Sequence, residues 1–410
     1  MFHSESIRTL FVGVFVVGNC LMPTASAPET FGEDLQFLTE HTDAITLSDA
    51  TGKAQVIVVP QYQGRVMTST TGGLNGPSFG WINRELIASG KTLPHMNAYG
   101  GEDRFWLGPE GGQFALYFKQ GDPFDFDHWQ TPAMIDTEPF KLLGRARDWA
   151  IFRRDATLVN YSGTEFAVRI DRLVRLIDLK KAAELLGIDE ISGLDMVAYE
   201  TSNTLTNTGK APWTKETGLL SIWILGMFKP SPETTIVIPI QEGPENVLGP
   251  KVNDAYFGKV PADRLRVEEG RLFFSGDGQY RSKIGISPRR AKPIAGSYDA
   301  GGKVLTLVQF NQPEGATDYV NSMWEIQKEP YAGDTVNSYN DGPPSPGAKP
   351  LGPFYELETS SPAAALKPGD SITHIHRTFH FQGDDAALDS ISGKTLEVAL
   401  PRVREALLVR

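Results

Sequence analysis

The sequence predicts an antiparallel all-β fold with one or two short helices, and three observations carry that prediction. Glycine and proline number 41 and 28 among 410 residues, more than helix interiors tolerate. Apolar and β-branched residues fall in short runs bounded by Gly, Pro, Asn and Asp. Only the stretch 179–186, LKKAAELL, joins helix-forming residues to a following glycine suited to a C-cap, Gly187. In chain order, strands are predicted over 44–48, 54–59, 64–70, 113–118, 141–152, 165–176, 196–205, 219–227 and 234–240. Further ones are expected over 271–275, 284–287, 304–310, 322–327, 354–360, 371–381 and 395–399, with a second helix near 403–408. The Pro- and Gly-rich segment 342–353 is expected to be a loop over a site.

Residues 1–27 are expected to be a secretory signal. Arg8 precedes the apolar run TLFVGVFVVGNCLM, too short for a stable span, and Ala25-Ser26-Ala27 offers an Ala-x-Ala cleavage point after Ala27. Cleavage before Cys20, as in a lipoprotein, ranks second because Asn19 is bulky where a small residue is needed. The protein is therefore expected to be exported to the periplasm or beyond, with residues 28–410 forming a single β-sandwich domain. Cys20 is the only cysteine, so the exported chain carries no disulfide, thiolate ligand or Cys nucleophile. Glu5 and Arg8 cancel, which leaves the net charge of −11 unchanged by cleavage. That balance argues against a nucleic-acid partner, and no membrane span is expected after signal removal. Oligomeric state is left open.

Two segments carry chemistry. The first, HMNAYGGEDRFWLGPEGGQFALYF from His95 to Phe118, reads as a short strand between paired glycines. Within it Arg104 stands beside Trp106, with Asp103 and Glu110 as carboxylates. A guanidinium fork next to an aromatic ring suits a sugar's paired hydroxyls and apolar face. The alternative is a structural ion pair beneath a loop, with Trp106 in the core. The second segment runs from Phe354 to Phe381. Alternation puts Glu356 and Glu358 on one strand face, and His374, His376 and His380 on one face of the next. A hairpin folded symmetrically about Leu366 would set Glu358 opposite His374 and Glu356 opposite His376. A one-residue slip would separate them. The alternative is a solvated sheet face.

Other positions have a lesser claim. Arg281 and Lys283, after a Gly-rich turn, can hold an acidic sugar if they share a strand face, although a solvated hairpin is the reading ranked first. Asn340 and its Asn/Asp neighbours suit ligand contact or their own turns. His128 is a candidate acid. The spacing in HIHRTFH allows His374, His376 and His380 to bind a divalent metal with nearby glutamates, yet the glutamate that follows H-x-H in cupins is missing. No cofactor is the leading expectation, and a divalent metal the alternative.

Together the two segments resemble the galactose mutarotase-like superfamily, which implies a β-supersandwich and a carbohydrate ligand. Leu357-Glu358, Pro362 and Leu366-Lys367-Pro368-Gly369-Asp370 resemble the carboxyl-terminal segment of aldose 1-epimerases, where the Glu is the catalytic base. The resemblance thus implies that role for Glu358 and a substrate-binding role for Arg104. The element GGEDRFWLGPEGG is similar to one shared by uncharacterised secreted bacterial proteins. One departure stands out: after Asn203 and Asn207 the epimerases place a general-acid His on the next strand, where this chain has Trp223. His128, His374 and His376 are the candidate replacements. The expected function is an exported protein that binds a sugar or sugar acid in a β-sandwich cleft, epimerase-like or proton-abstracting, with Glu358 as base. A non-catalytic glycan-binding protein and a metal-dependent enzyme built on the His strand are the alternatives.

Overall fold

The structure, a computed structural model, describes residues 29–408. The expected signal segment, with Cys20 and the cleavage point after Ala27, lies outside the described residues. The chain is built from β1 (Ile45–Ser48), β2 (Gln55–Val59), β3 (Arg65–Thr70), β4 (Arg104–Gly108), β5 (Lys141–Arg145), β6 (Trp149–Val159), β7 (Glu165–Leu176), β8 (Leu194–Asn207) and β9 (Ser221–Phe228). There follow β10 (Thr234–Pro239), β11 (Leu265–Glu268), β12 (Arg271–Ser275), β13 (Ser282–Ile286), β14 (Ile294–Asp299), β15 (Val304–Phe310), β16 (Val336–Asn340), β17 (Tyr355–Ser360) and β18 (Ser371–Gly383). Strands β1 to β3 form a small sheet. Ten strands form a large one, in the order β11-β12-β10-β14-β15-β18-β8-β7-β6-β5, and five form another, in the order β13-β16-β17-β9-β4. The pairings of both larger sheets are antiparallel, as the sequence predicts.

The long strands of the ten-stranded sheet follow their alternation. In β7, Phe166, Val168, Ile170 and Val174 are buried while Glu165 and Arg175 are exposed. On the sheet's outer side, Phe379 and Phe381 of β18 pack beneath helices over Leu179–Leu186, Asp385–Thr395 and Leu400–Glu405. Burial of such large apolar side chains stabilises by about 1.5–3 kcal/mol each. The predicted helix at 179–186 is present. Asp178 caps its start by accepting from Lys181 N, and Gly187, at φ 65°, ends it. The five-stranded sheet differs, for β9, β16 and β17 are buried along their whole length and hence on both faces.

The expected β17–β18 hairpin does not form. β17 pairs with β16 and β9, whereas β18 pairs with β15 and β8 in the other sheet. The connection crosses from one sheet to the other, held where Ala364 bridges Leu220 and Leu366 O accepts from Trp213 N. Three predicted strands are also absent. Residues 113–118 turn back on Gly111-Gly112, with Leu116 N donating to Pro109 O and Leu116 to Phe118 entering the core. Residues 322–327 form a loop in which the Gln327 amide donates to Asn321 O and Met323 O. Residues 395–399 join two helices through Glu397 at φ 58°. The closing helix begins at Leu400, three residues before its expected start.

Candidate functional site

Strand register decides which side chains meet. Residues opposite one another on antiparallel neighbours point to the same face. Across the five-stranded sheet, Lys283 lies opposite Tyr339, Tyr339 opposite Glu356, and Glu356 opposite Met227. Likewise Glu358 lies opposite Leu225, Leu225 opposite Arg104, and Trp223 opposite Trp106. One face therefore carries Arg104, Trp106, Trp223, Lys283, Glu356 and Glu358. The other carries Phe105, Ile224, Tyr355, Leu357 and Thr359 and packs on the ten-stranded sheet.

Local sequence explains how Arg104 enters this face. Gly100 and Gly101 take φ values of 95° and 110°, and a Cβ on Gly100 would lie 2.1 Å from Trp81 O, so only glycine fits this turn. The chain emerges from it extended, and alternation sends Arg104 one way and Asp103 the other.

The centre of the face is Glu358, fully buried. Its Oε1 and Oε2 accept from Lys283 Nζ at 3.0 and 2.9 Å, and Oε2 also accepts from Trp223 Nε1 at 2.9 Å. The Lys283 ammonium sits 4.8 Å from the centre of the Trp223 ring and 5.5 Å from that of Tyr256. Beside this pair Arg104 donates to Glu356 at 2.9 Å, with its guanidinium 4.2 Å from the Trp106 ring centre. Burial pushes the Glu356 carboxyl well above the usual range; Arg104 opposes that shift and the Glu358 charge adds to it. Geometry and burial pull in opposite directions here. With no other carboxylate within 4 Å of Arg104 among the described residues, the ion pair is the state we assign near neutrality.

Covering segments complete the enclosure. Glu110 follows β4 on the 109–118 loop and accepts from Trp324 Nε1 at 3.2 Å. Burial raises its pKa, while Lys283 and the Trp324 hydrogen bond oppose the rise. Trp324 stacks on Trp129, which stacks on Tyr117, and Tyr117 lies against Trp106. Asp334 accepts from Tyr256 Oη at 2.6 Å and Asn253 Nδ2 at 3.0 Å; burial raises its pKa too. At the rim, the Arg281 guanidinium lies 3.9 Å from the Phe257 ring centre and has no carboxylate within 4 Å among the described residues. The 342–353 loop closes near this rim, where Gly352 N donates to Asp341 Oδ2 at 2.9 Å.

The structure thus brings Glu358, Glu356, Arg104, Trp106, Glu110 and Lys283 together, with Arg281 at the edge. It does not bring in the others. Asp103 faces the ten-stranded sheet, paired with Arg172 and accepting from Thr201 Oγ1 at 2.8 Å. Asn340 points to the same interior side and clamps the 277–280 turn, its amide donating to Asp277 Oδ1 and Tyr280 O. His128 is exposed and paired with Asp125 on its own loop.

The three histidines of β18 lie behind the five-stranded sheet. Thr359 Oγ1 bonds His374 Nε2 at 2.7 Å and His376 Nδ1 at 2.9 Å. Thr359 alternates with Glu358, so the expected meeting of Glu358 with His374 and of Glu356 with His376 does not occur. His380 instead bonds Thr306 Oγ1 and Glu102, 2.9 and 3.1 Å away. These residues do not fit a metal, and among the described residues no group of three His, Cys, Asp or Glu is arranged to hold one.

Several members of the face escaped sequence reasoning. Trp223 was visible only as the missing His of the epimerase resemblance, and cross-strand register reveals it as a donor. Trp324 and Tyr256 belong to covering loops, for which no local signal exists. Chemistry and open space part company as well. A cleft of about 370 Å³ is lined by residues including Asn97, Gln130, Thr131 and Asp136, and not by Glu358, Lys283 or Trp223. Convergent charge and aromatic rings favour the Glu358 face as the site.

Among solved structures, the chain is similar to one from Escherichia coli K12 named "Putative aldose 1-epimerase". The likeness has a TM-score of 0.50 at 13% identity, over 83% of this chain and 99% of that one. A galactose mutarotase-like protein from Lactobacillus casei aligns over 83% of this chain and 100% of its own, with a TM-score of 0.47 and 9% identity. The first likeness shows a galactose mutarotase-like sandwich fold, and fold alone does not settle chemistry. A comparison with curated proteins gives no match. Residues 29–407 match the model of a family of unknown function, DUF6786, and the chain belongs to that family.

Proposed function

We propose that this protein binds a free sugar or sugar acid against the Glu358 face and interconverts its anomers, with Glu358 as the base. The observation that carries the reading is a fully buried carboxylate held, among the described residues, by Lys283 and Trp223, on a face lined by Trp106, Trp223 and the Arg104–Glu356 pair. Burying charge without a purpose is costly. Here the surroundings suit a pyranose: indole faces for its apolar side, and a guanidinium–carboxylate pair for adjacent hydroxyls. The fold likeness to a protein named as an aldose 1-epimerase supports the same ligand class. The chain is read as exported, through its first 27 residues.

The test is polarimetry on freshly dissolved α-D-glucose, α-D-galactose and their uronates. The expected result is acceleration of at least one over buffer, and its loss by about 10²-fold or more in Glu358→Gln with sugar affinity retained. Equal rates for Glu358→Gln and wild type would overturn the assignment. Trp223, standing where an epimerase His is expected, favours a second reading, a glycan-binding protein without turnover. Saturable sugar binding with no acceleration of any of the four sugars would establish that reading instead.

A further inference from the structure

We infer that Lys283 is the proton donor of this site, so that acid and base are the two halves of one ion pair; the inference rests on the reading of Glu358 as base. Opening a cyclic sugar requires a proton to leave the anomeric oxygen O1 and another to reach the ring oxygen O5. Both oxygens are bonded to the same carbon. An acid and a base that serve them must sit side by side, not across the ring from each other. Lys283 Nζ lies 3.0 and 2.9 Å from the two Glu358 oxygens, which is such an arrangement. Among the described residues both hydrogen bonds of the Lys283 ammonium go to Glu358, and an ammonium has three N–H groups, so one remains for a ligand. The lysine side chain is 12% exposed against 0% for the glutamate, so a ligand arriving from solvent meets Lys283 first.

The neighbours do not supply this proton. Trp223 Nε1 and the Arg104 guanidinium donate hydrogen bonds but do not release protons in the working pH range. His374 and His376 are behind the sheet on Thr359. Three other carboxyls surround the pair, and each is engaged elsewhere: Glu110 Oε1 is bonded to Trp324, Glu356 is paired with Arg104, and Asp334 accepts from Tyr256 and Asn253.

The step balances. Glu358 takes the O1 proton, and the O1–H electron pair becomes the second bond of a C1=O1 carbonyl. The C1–O5 bond breaks, and its pair on O5 accepts a proton from Lys283. The products are an open-chain aldehyde with a free hydroxyl, a carboxylic acid and a neutral amine. Rotation about C1–C2 presents the other carbonyl face. The amine then recovers its proton from the hydroxyl, O5 attacks C1, and the carbonyl oxygen takes the proton from Glu358. The ion pair is restored, with no external oxidant, reductant or metal in the balance.

Lys283→Arg is the decisive variant, because it keeps a cation beside Glu358 but cannot give up a proton. Its anomerisation rate is expected to fall about 10²-fold or more, with the Kd for the sugar that wild type turns over held within about threefold. In Lys283→Ala, added methylamine is expected to restore rate in proportion to its concentration, which a merely structural role would not show. A Lys283→Arg rate within threefold of wild type, with Glu358→Gln inactive, would overturn the lysine's role and leave the base standing. Full activity in both variants would overturn the reading of the site itself. A folded Lys283→Ala that methylamine does not restore also counts against the inference, and if that variant does not fold, Lys283→Arg alone decides.

Discussion

Acid should destabilise this protein through two histidines that meet no solvent. His374 and His376 are 0% exposed, and burial holds their pKa values at about 3 and about 4, against 6.5 for free imidazole. The Thr359 hydroxyl, shared between them, suits neutral rings: it can donate to one and accept from the other, which two imidazoliums could not allow. Between about pH 6.5 and pH 4 the unfolded chain therefore binds protons that the native state refuses, and stability falls as pH falls. A pH of about 5 lies about 1.5 units below the ordinary histidine pKa of 6.5 and above both native values. At about 1.36 kcal/mol per unit this is a loss of about 2 kcal/mol each, or about 4 kcal/mol for the pair. His374→Gln combined with His376→Asn places an amide where each ring nitrogen meets Thr359 and removes the titration. Denaturant unfolding of wild type and double variant at about pH 7 and about pH 5 measures the difference. Glu356, Glu110 and Asp334, with raised pKa values, favour the native state as pH falls, and comparing the two proteins cancels them. The same pH-dependent loss in both, within about 0.5 kcal/mol, would refute the reasoning. Anomerisation by the double variant should match wild type, because Thr359 faces away from Glu358.

Two further expectations follow. Asp103→Asn should cost about 3–5 kcal/mol in denaturant unfolding, because it leaves the fully buried Arg172 guanidinium without a counter-charge, its other acceptors being the neutral Gly64 O, Asp103 O and Asn203 Oδ1; a loss under about 1 kcal/mol would be inconsistent with that burial. Amino-terminal sequencing of protein exported by a bacterial host should begin at Pro28, and an intact Met1 on exported protein would remove the signal reading.

What was legible in the sequence was local. Alternation identified β7, β8, β15 and β18, and it assigned Glu356 and Glu358 to one face and the three histidines to another. Alternation says which side chains share a face, but not which strand lies opposite. The hairpin about Leu366 failed at that point, since β17 and β18 find partners far along the chain. Strands such as β16, VNSYN, carry only Val336 and Tyr339 as apolar signal, without alternation, and form because β13 and β17 flank them. The helix over Phe31–His41 went unpredicted although its capping box, Thr30 with Glu33, is written in the sequence. Trp324 and Glu110 reach each other across more than two hundred residues, a distance no spacing rule spans.

One strand performs two tasks. In β17, Tyr355, Leu357 and Thr359 fasten the two large sheets together, while Glu356 and Glu358 face the candidate site. A change at either set is felt by the other, and a slip of one residue would exchange them. Substitution within β17 is thus a poor route to altered ligand preference. The freedom to retune this protein belongs to the loops laid over the strand, around Glu110, Tyr256, Trp324 and the 342–353 segment, which can change length and composition without disturbing the joint beneath.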